Sequence, residues 1–300
     1  MQQYERYEIV VADQNSDWPE ECDPQRNALR SHAKVQWLNL SQPAVVPARN
    51  EAVRQSRGEI LVFVDDDVHI TDSSFITRHV VNYVTGEIAA VAGREMKPTD
   101  PSPRLHPANG IASDATASGR PPIETIIGFD RNTTRRVEAC VWSTCNCSVR
   151  RDVFLLMRGF DENFTGNSYG DDSDFALRLH KAGGRIVYDP TAALVHLSAP
   201  MGGLRLSDQT NSTSHTDRVL SGWLFYLRHS RPGYRWTVLR SQILRRTVLL
   251  RANVIRPWRQ FGAWWGLIRG YFKARRRLRQ GVFSRFTTPS TADSSRDEKP

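Results

Sequence analysis

Along the first two hundred residues apolar and polar positions follow two rhythms, which predict strands and helices in turn. YEIVVAD (7–13) is a short apolar run ending in a carboxylate, and AKVQWLNL (33–40) alternates like a half-exposed strand. PARNEAVRQSRGE (47–59) reads as a helix, with Pro47 suited to its start and Gly58 to its end. ILVFV (60–64) is continuously apolar, as in a strand buried on both faces. SFITRHVVNYV follows as a helix that Thr71 or Asp72 can cap, and IAAVAGR (88–94) is another buried strand. Residues 95–135 are rich in Pro, Ser, Gly and Thr and keep little period; so long a loop within a domain is usually functional or mobile. Order returns in RVEACVWSTCNCSVRRDVFLLMRGF, a strand leading into a helix. DDSDFALRLHKAGG (171–184) is then a compact helix with a glycine end, and RIVYDP a further strand. This alternation implies an α/β layered domain with a mainly parallel sheet, which binds ligands at the carboxyl ends of its strands.

From residue 218 to 279 the pattern changes. This stretch holds 16 basic residues and no acidic one, interleaved with Trp, Phe, Leu and Ile. Trp258, Phe261, Trp265, Ile268 and Phe272 recur at steps of three and four, one face of a helix, and Gly262, Gly266 and Gly270 offer a second helix a close approach. The net charge of +9 therefore divides unevenly. Residues 201–300 carry 20 Lys/Arg against 5 Asp/Glu, which leaves 21 against 27 for residues 1–200. An acidic part suited to a cation is joined to a basic part suited to an anionic surface. No nucleic-acid motif accompanies the arginines, and a basic amphipathic helix with Trp and Phe on one face fits an anionic membrane better; the bland alternative is that these helices simply pack on the rest of the chain. The closing residues, TPSTADSSRDEKP, have the composition of a disordered tail. No run of eighteen apolar residues occurs, and the N-terminus lacks the features of a signal peptide, so a cytoplasmic location is expected. Among the four cysteines, Cys140, Cys145 and Cys147 invite a zinc reading. Their spacing is wrong for a zinc ribbon, and half-buried thiols in a strand are the better expectation.

The chemistry concentrates at acidic residues. Asp65, Asp66 and Asp67 close the apolar strand, and a divalent cation such as Mg²⁺ or Mn²⁺ would relieve their mutual repulsion while bridging to phosphates. An isolated DDD is more often a solvated turn. A second constellation raises its weight: Asp171, Asp172 and Asp174 open a helix, where the dipole favours carboxylates but a cap needs only one. A carboxylate there can act as general base to an acceptor hydroxyl. His196, after the apolar stretch TAALV, is a further candidate ligand, although a lone histidine is more often structural.

ARNEAVRQSRGEILVFVDDDV, NCSVRRDVFLLMRGFDENF and GDDSDFALRLHKAGGRIVYDPTAALVH, in that order and spacing, resemble the family-2 glycosyltransferases of the GT-A fold over roughly residues 8–200. The resemblance implies an inverting, metal-dependent enzyme that takes a nucleotide-diphospho-sugar donor and glycosylates a glycan or lipid-linked acceptor, in polysaccharide or glycolipid synthesis at the inner face of the cytoplasmic membrane. It puts Asp13, Asp65 and Asp66 on the nucleotide, Asp67 and His196 on the metal, and Asp172 in the role of catalytic base. Asp171, standing where the family has Glu, and Asn146 fall beside the acceptor. One departure is plain: the strand–helix unit that opens the family's fold does not precede YEIVVAD. The sheet is then expected to show an exposed place for a strand, and the alternative function is a degenerate member that binds a membrane or partner. The expected divisions are an N-terminally truncated GT-A domain at 1–205, a basic helical extension at 206–285 and a disordered tail at 286–300.

Overall fold

A computed structural model describes residues 2–15, 17–99, 131–166, 168–198, 212–230, 239–244, 248–249, 254–255 and 258–286. Most of the loop expected at 95–135 and the tail from 287 onward lie outside the described residues.

The apolar runs become strands and the mixed runs helices, in alternation. β1 (Ile9–Asp13), α1 (Asp23–Arg30), β2 (Val35–Asn39), α2 (Val45–Gln55) and β3 (Ile60–Val64) are followed by the two-residue β4 (Val68–His69) and by α3 (Phe75–Val80). Next come β5 (Ile88–Met96), β6 (Val137–Ala139), β7 (Asn146–Arg150), α4 (Arg151–Leu156), α5 (Asp171–Lys181) and β8 (Arg185–His196), then the helices α6 (Ser212–His229) and α7 (Trp258–Gln280). α2 starts two residues before Pro47, which therefore sits in the first turn, where its missing N–H has no helical partner. At the entry to α3 it is Asp72 that organises the chain, its carboxylate accepting from Ser74 N at 2.8 Å.

The main sheet is mixed. Its order is β3-β7-β5-β8-β4, with β6 also paired to β8. β5 and β8 run parallel, while β7 lies antiparallel between β3 and β5. β8 does not end at the Asp-Pro of RIVYDP, as the sequence reading had it. Its register on β5 jumps from Gly93–Asp189 to Arg94–Ala193 across Pro190, which has no N–H to give the ladder, and the strand then continues to His196. β1 and β2 form a parallel pair of their own. Among the described residues β1 pairs with β2 alone and β3 with β7 alone, so the sheet is interrupted between its first two strands and the rest.

The core lies between this sheet and α4, α5 and α6. Phe154 stacks on Phe175 with ring centroids 5.1 Å apart and meets Phe160 edge-on at 5.2 Å; Trp142 stacks on the other side of Phe175 at 5.1 Å. All four rings are almost fully buried. The basic C-terminal helices belong to the same packing. Leu220 and Leu224 of α6 join this core, and α7 crosses α6 with Leu267, Gly270 and Ala274 against it. A Cβ at Gly270 would lie 2.9 Å from Val219 Cγ1, so this glycine does set the approach; Gly262 and Gly266 face open space. After α7 the chain folds back: Phe283 O accepts from Glu162 N at 2.6 Å, Phe283 N donates to Asp161 Oδ1 at 3.1 Å, and Phe286 meets Phe154 edge-on at 5.8 Å.

Candidate active site

β3 delivers the acidic triplet. Asp66 is exposed at the turn, whereas Asp65 and Asp67 point into a partly buried recess. Val68 of β4 pairs with His196, and Leu197 N donates to Asp67 O at 2.8 Å, so the turn that follows β3 is clamped to the end of β8. His196 Nε2 comes within 3.2 Å of Asp67 Oδ1, yet this nitrogen is buried and makes no hydrogen bond among the described residues. A ligand atom each of Asp65, Cys145 and His196 falls within 4.8 Å of the other two. Burial, reinforced by the acid groups around it, pushes the Cys145 thiol well above its ordinary range, so it stays protonated and is a poor ligand for a hard ion. An orphaned imidazole nitrogen beside two carboxylates fits a hard divalent cation; a protonated thiol does not make this a zinc site. Cys140 and Cys147 are likewise buried, and neither is in a disulfide.

The second acid group sits at the start of α5. Gly170 precedes it with φ +90°, in the left-handed region, and a Cβ there would press on Phe225 of α6 at 3.2 Å. Asp171 and Asp172 then occupy the first helical turn, where the dipole favours their charge. Asp172 is half-buried. Its Oδ1 accepts from Ser173 N at 2.6 Å, its backbone carbonyl is held by Trp142 Nε1 at 2.8 Å, and among the described residues Oδ2 has no hydrogen-bond partner. Asp171 is buried. Burial pushes its carboxyl up to about 7, Arg49 opposes the rise and the Asp172 charge adds to it.

Arg49 of α2 joins the two groups. Its Nη1 donates to Asp171 Oδ2 at 2.8 Å and its Nη2 reaches Asp65 Oδ1 at 3.5 Å. Burial raises the Asp65 carboxyl, and Arg49 and His196 hold it down. Sequence reasoning missed Arg49, because one arginine on an amphipathic helix carries no periodic signal. It also missed Glu95 and Arg131. Glu95, next to last in β5, has Oε2 3.4 Å from Arg131 Nη1 and Oε1 buried with no hydrogen-bond partner among the described residues, and the charges of both Glu95 and Asp172 act on Arg131.

Two expected site residues have other partners here. Asn146 is wholly buried: Nδ2 donates to Arg94 O and Ala192 O, each at 2.9 Å, and Oδ1 lies 3.0 Å from His79 Nε2. Burial brings the His79 ring down to about 4, so it is neutral, and Ser148 and Tyr83 complete the network. A Cβ at Gly93 would overlap the Asn146 amide, which explains a glycine inside β5. Asn146 thus ties β7 to β5 and β8, with its amide engaged inside the sheet. Asp13 ends β1 with both oxygens engaged: Oδ1 accepts from Asn15 N and Nδ2, and Oδ2 from Trp18 Nε1 at 2.9 Å and Trp37 Nε1 at 3.1 Å. None of these bonds reaches the cluster around Arg49.

Residues 1–155 match the sequence profile of Glycosyl transferase family 2. The chain belongs to this family. Curated relatives of this family 2 member include the O-antigen biosynthesis protein RfbC of Myxococcus xanthus, 28% identical over 64% of this chain and 15% of that protein. The succinoglycan biosynthesis protein ExoM of Rhizobium meliloti is 27% identical over 65% of this chain and 58% of its own length. The N-acetylglucosaminyl-diphospho-decaprenol L-rhamnosyltransferase of Mycobacterium tuberculosis is 32% identical over 40% of this chain and 38% of its own. The chain therefore spans less than two thirds of these relatives. Among solved structures, a mannosyltransferase from Pyrobaculum calidifontis in complex with GDP-Man and Mn²⁺ aligns over 93% of this chain and 72% of that one, with 18% identity and a TM-score of 0.48.

Proposed function

We propose that this chain transfers a sugar, with inversion, from a nucleotide-diphospho-sugar to a hydroxyl of a glycan or lipid-linked acceptor in cell-surface polysaccharide or glycolipid synthesis. The observation that carries the reading is the convergence of Asp65, Asp67 and His196 with the acid pair Asp171–Asp172, drawn together by Arg49. Asp67, Asp65 and His196 are the residues that would hold a divalent cation, Mn²⁺ or Mg²⁺, and such an ion, when bound, offsets the charge developing on a diphosphate leaving group.

The chain's own side chains account for the rest. Asp172 has an oxygen with no hydrogen-bond partner among the described residues, which can accept a proton, and the helix start and Trp142 hold the residue in place. The acceptor O–H gives its proton to Asp172 as oxygen bonds the anomeric carbon; the bond from that carbon to the diphosphate oxygen breaks on the opposite face, and its electron pair leaves with the nucleotide. One displacement inverts the centre, and no protein nucleophile is needed. Asp171 fixes Arg49, whose guanidinium faces the Asp65 end of the recess and is positioned to meet donor phosphate charge. Asp65 and Asp66 are read as nucleotide contacts, and Asp13 as a contact to its base, made by exchanging an indole N–H or by sharing an oxygen.

A second reading, a binding protein that has lost donor affinity, draws on the engaged oxygens of Asp13 and on the interruption between β1 and β3. Isothermal titration with UDP, GDP and dTDP in the presence of Mn²⁺ separates the two. Saturable binding to one of them, lost on chelation, is the expected outcome; heat from none of them would refute the transferase reading.

A further inference from the structure

Helix α7 has 23 residues and at 1.5 Å per residue is about 34 Å long. Among the described residues one side of it packs on the protein: Leu267, Gly270 and Ala274 lie against α6, and Trp223 Nε1 donates to Leu267 O at 3.0 Å. The side opposite carries Trp258, Phe261, Trp265, Ile268 and Phe272, exposed from 47% at Ile268 to 81% at Phe261. At about 100° per residue these five fall within roughly a quarter of the helix circumference. The same quarter continues toward the C-terminus with Arg275, Arg276 and Arg279, and Arg269 and Lys273 flank it; all five are exposed. An apolar strip this large left in water marks an interaction surface.

We infer that this face of α7 lies in the surface of a membrane rich in anionic lipid, with the aromatic half in the headgroup–acyl boundary and the arginines on the headgroups. Charge chooses the occupant. No acidic residue occurs between 218 and 279, so the partner must supply the negative charge. The cations sit beside and beyond the apolar strip and do not alternate with it, which matches an amphipathic interfacial helix, whereas a nucleic acid binder interleaves its aromatics with cations along a phosphate track. No helix of the described residues is long and apolar enough to cross a membrane, so the helix rests on the surface and does not span it. The opposite face ties α7 through α6 to the helix that carries Asp171 and Asp172, so docking would hold the catalytic recess near a lipid-linked acceptor. That last consequence rests on the transferase reading; the docking itself does not.

The test is flotation of the full-length chain with vesicles of phosphatidylglycerol and phosphatidylcholine, against vesicles of phosphatidylcholine alone, read together with tryptophan emission. Binding to the anionic vesicles alone, a blue-shifted emission and weakening by salt are expected. The triple variant Phe261→Ser, Trp265→Ser, Phe272→Ser should lower partitioning more than tenfold with no change in melting temperature, because these side chains touch no core. Replacing Arg275, Arg276 and Arg279 by Ser should weaken anionic binding, at about fivefold per charge. Equal binding to neutral vesicles, or partitioning that survives the triple variant, overturns the proposal. So does a concentration-dependent dimer that the triple variant dissolves, or competition by duplex DNA with no vesicle binding at all. Flotation needs no donor, so its outcome is independent of the nucleotide titration.

Discussion

Replacing Asp174 by Asn should show that the basic C-terminal helices are part of the catalytic unit. Asp174 lies one turn into α5 and is wholly buried. Its carboxylate accepts from Arg178 Nε at 2.9 Å and, across to α6, from Arg228 Nη1 and His229 Nε2, each at 2.8 Å. Burial holds the His229 ring below its ordinary value, so it is neutral; it donates from Nε2 and takes a hydrogen bond from Lys181 Nζ at Nδ1, 3.0 Å away. Asp174→Asn removes the one charge shared by these donors and turns an amide N–H toward them. Removing one partner of a buried pair costs about 3–5 kcal/mol. Arg228 keeps Asp161 at 2.6 Å, and Arg178 keeps two backbone carbonyls, so the lower end, about 3 kcal/mol, is expected. In a chain of 300 residues that is a fall in melting temperature of roughly 5 °C. Burial opposes ionisation of Asp174, but His229, Arg178 and Arg228 together hold its carboxyl far below the ordinary range. A depressed folded value means stability that is present above the unfolded carboxylate value and lost as pH falls through the acid range. The gap between wild type and variant should therefore be full at neutral pH and shrink progressively in acid. Urea unfolding across that range, followed by circular dichroism, reads both. A neutral-pH difference below about 1 kcal/mol, or one that ignores pH, would refute the account of this network.

Other outcomes follow from the same geometry. Asp172→Asn should lower transfer by about 10²–10⁴-fold while nucleotide binding in the titration stays within a few-fold; equal turnover would remove the residue from the base role. Arg49→Met leaves Asp171 buried beside Asp172 without its counter-charge, so Asp171 should stay protonated at neutral pH and nucleotide affinity should fall; unchanged affinity would argue that Arg49 only props the acid pair. For His196→Ala, the thermal shift that saturating Mn²⁺ gives the wild type, about 2.7 kcal/mol at a hundredfold excess over its dissociation constant, should largely vanish, and a shift that persists would put the ion elsewhere.

Local pattern was enough for the elements. Apolar runs of five or so residues became β1, β3 and β5, and the helix of residues 171–181 formed where acidic residues meet an amphipathic run. These outcomes depend on neighbours in sequence, so a linear reading reaches them, and the order of the motif blocks was enough for the family. Partners distant in sequence were beyond its reach. That Arg49 meets Asp171 across 122 positions, that Asn146 is an inner tie between three strands, and that Asp13 faces two indoles depend on how strands are ordered and which faces are buried. The basic C-terminal third shows the limit most clearly. Its amphipathic period was legible, but a period does not say which side packs. In the folded chain the small residues at 270 and 274 meet α6, because only small side chains let two helices close, and the aromatic side is left to the solvent. The sequence by itself determined the elements and the chemistry they carry; the tertiary structure alone decided which of those groups meet, because pairing and burial are set by contacts that no local stretch contains.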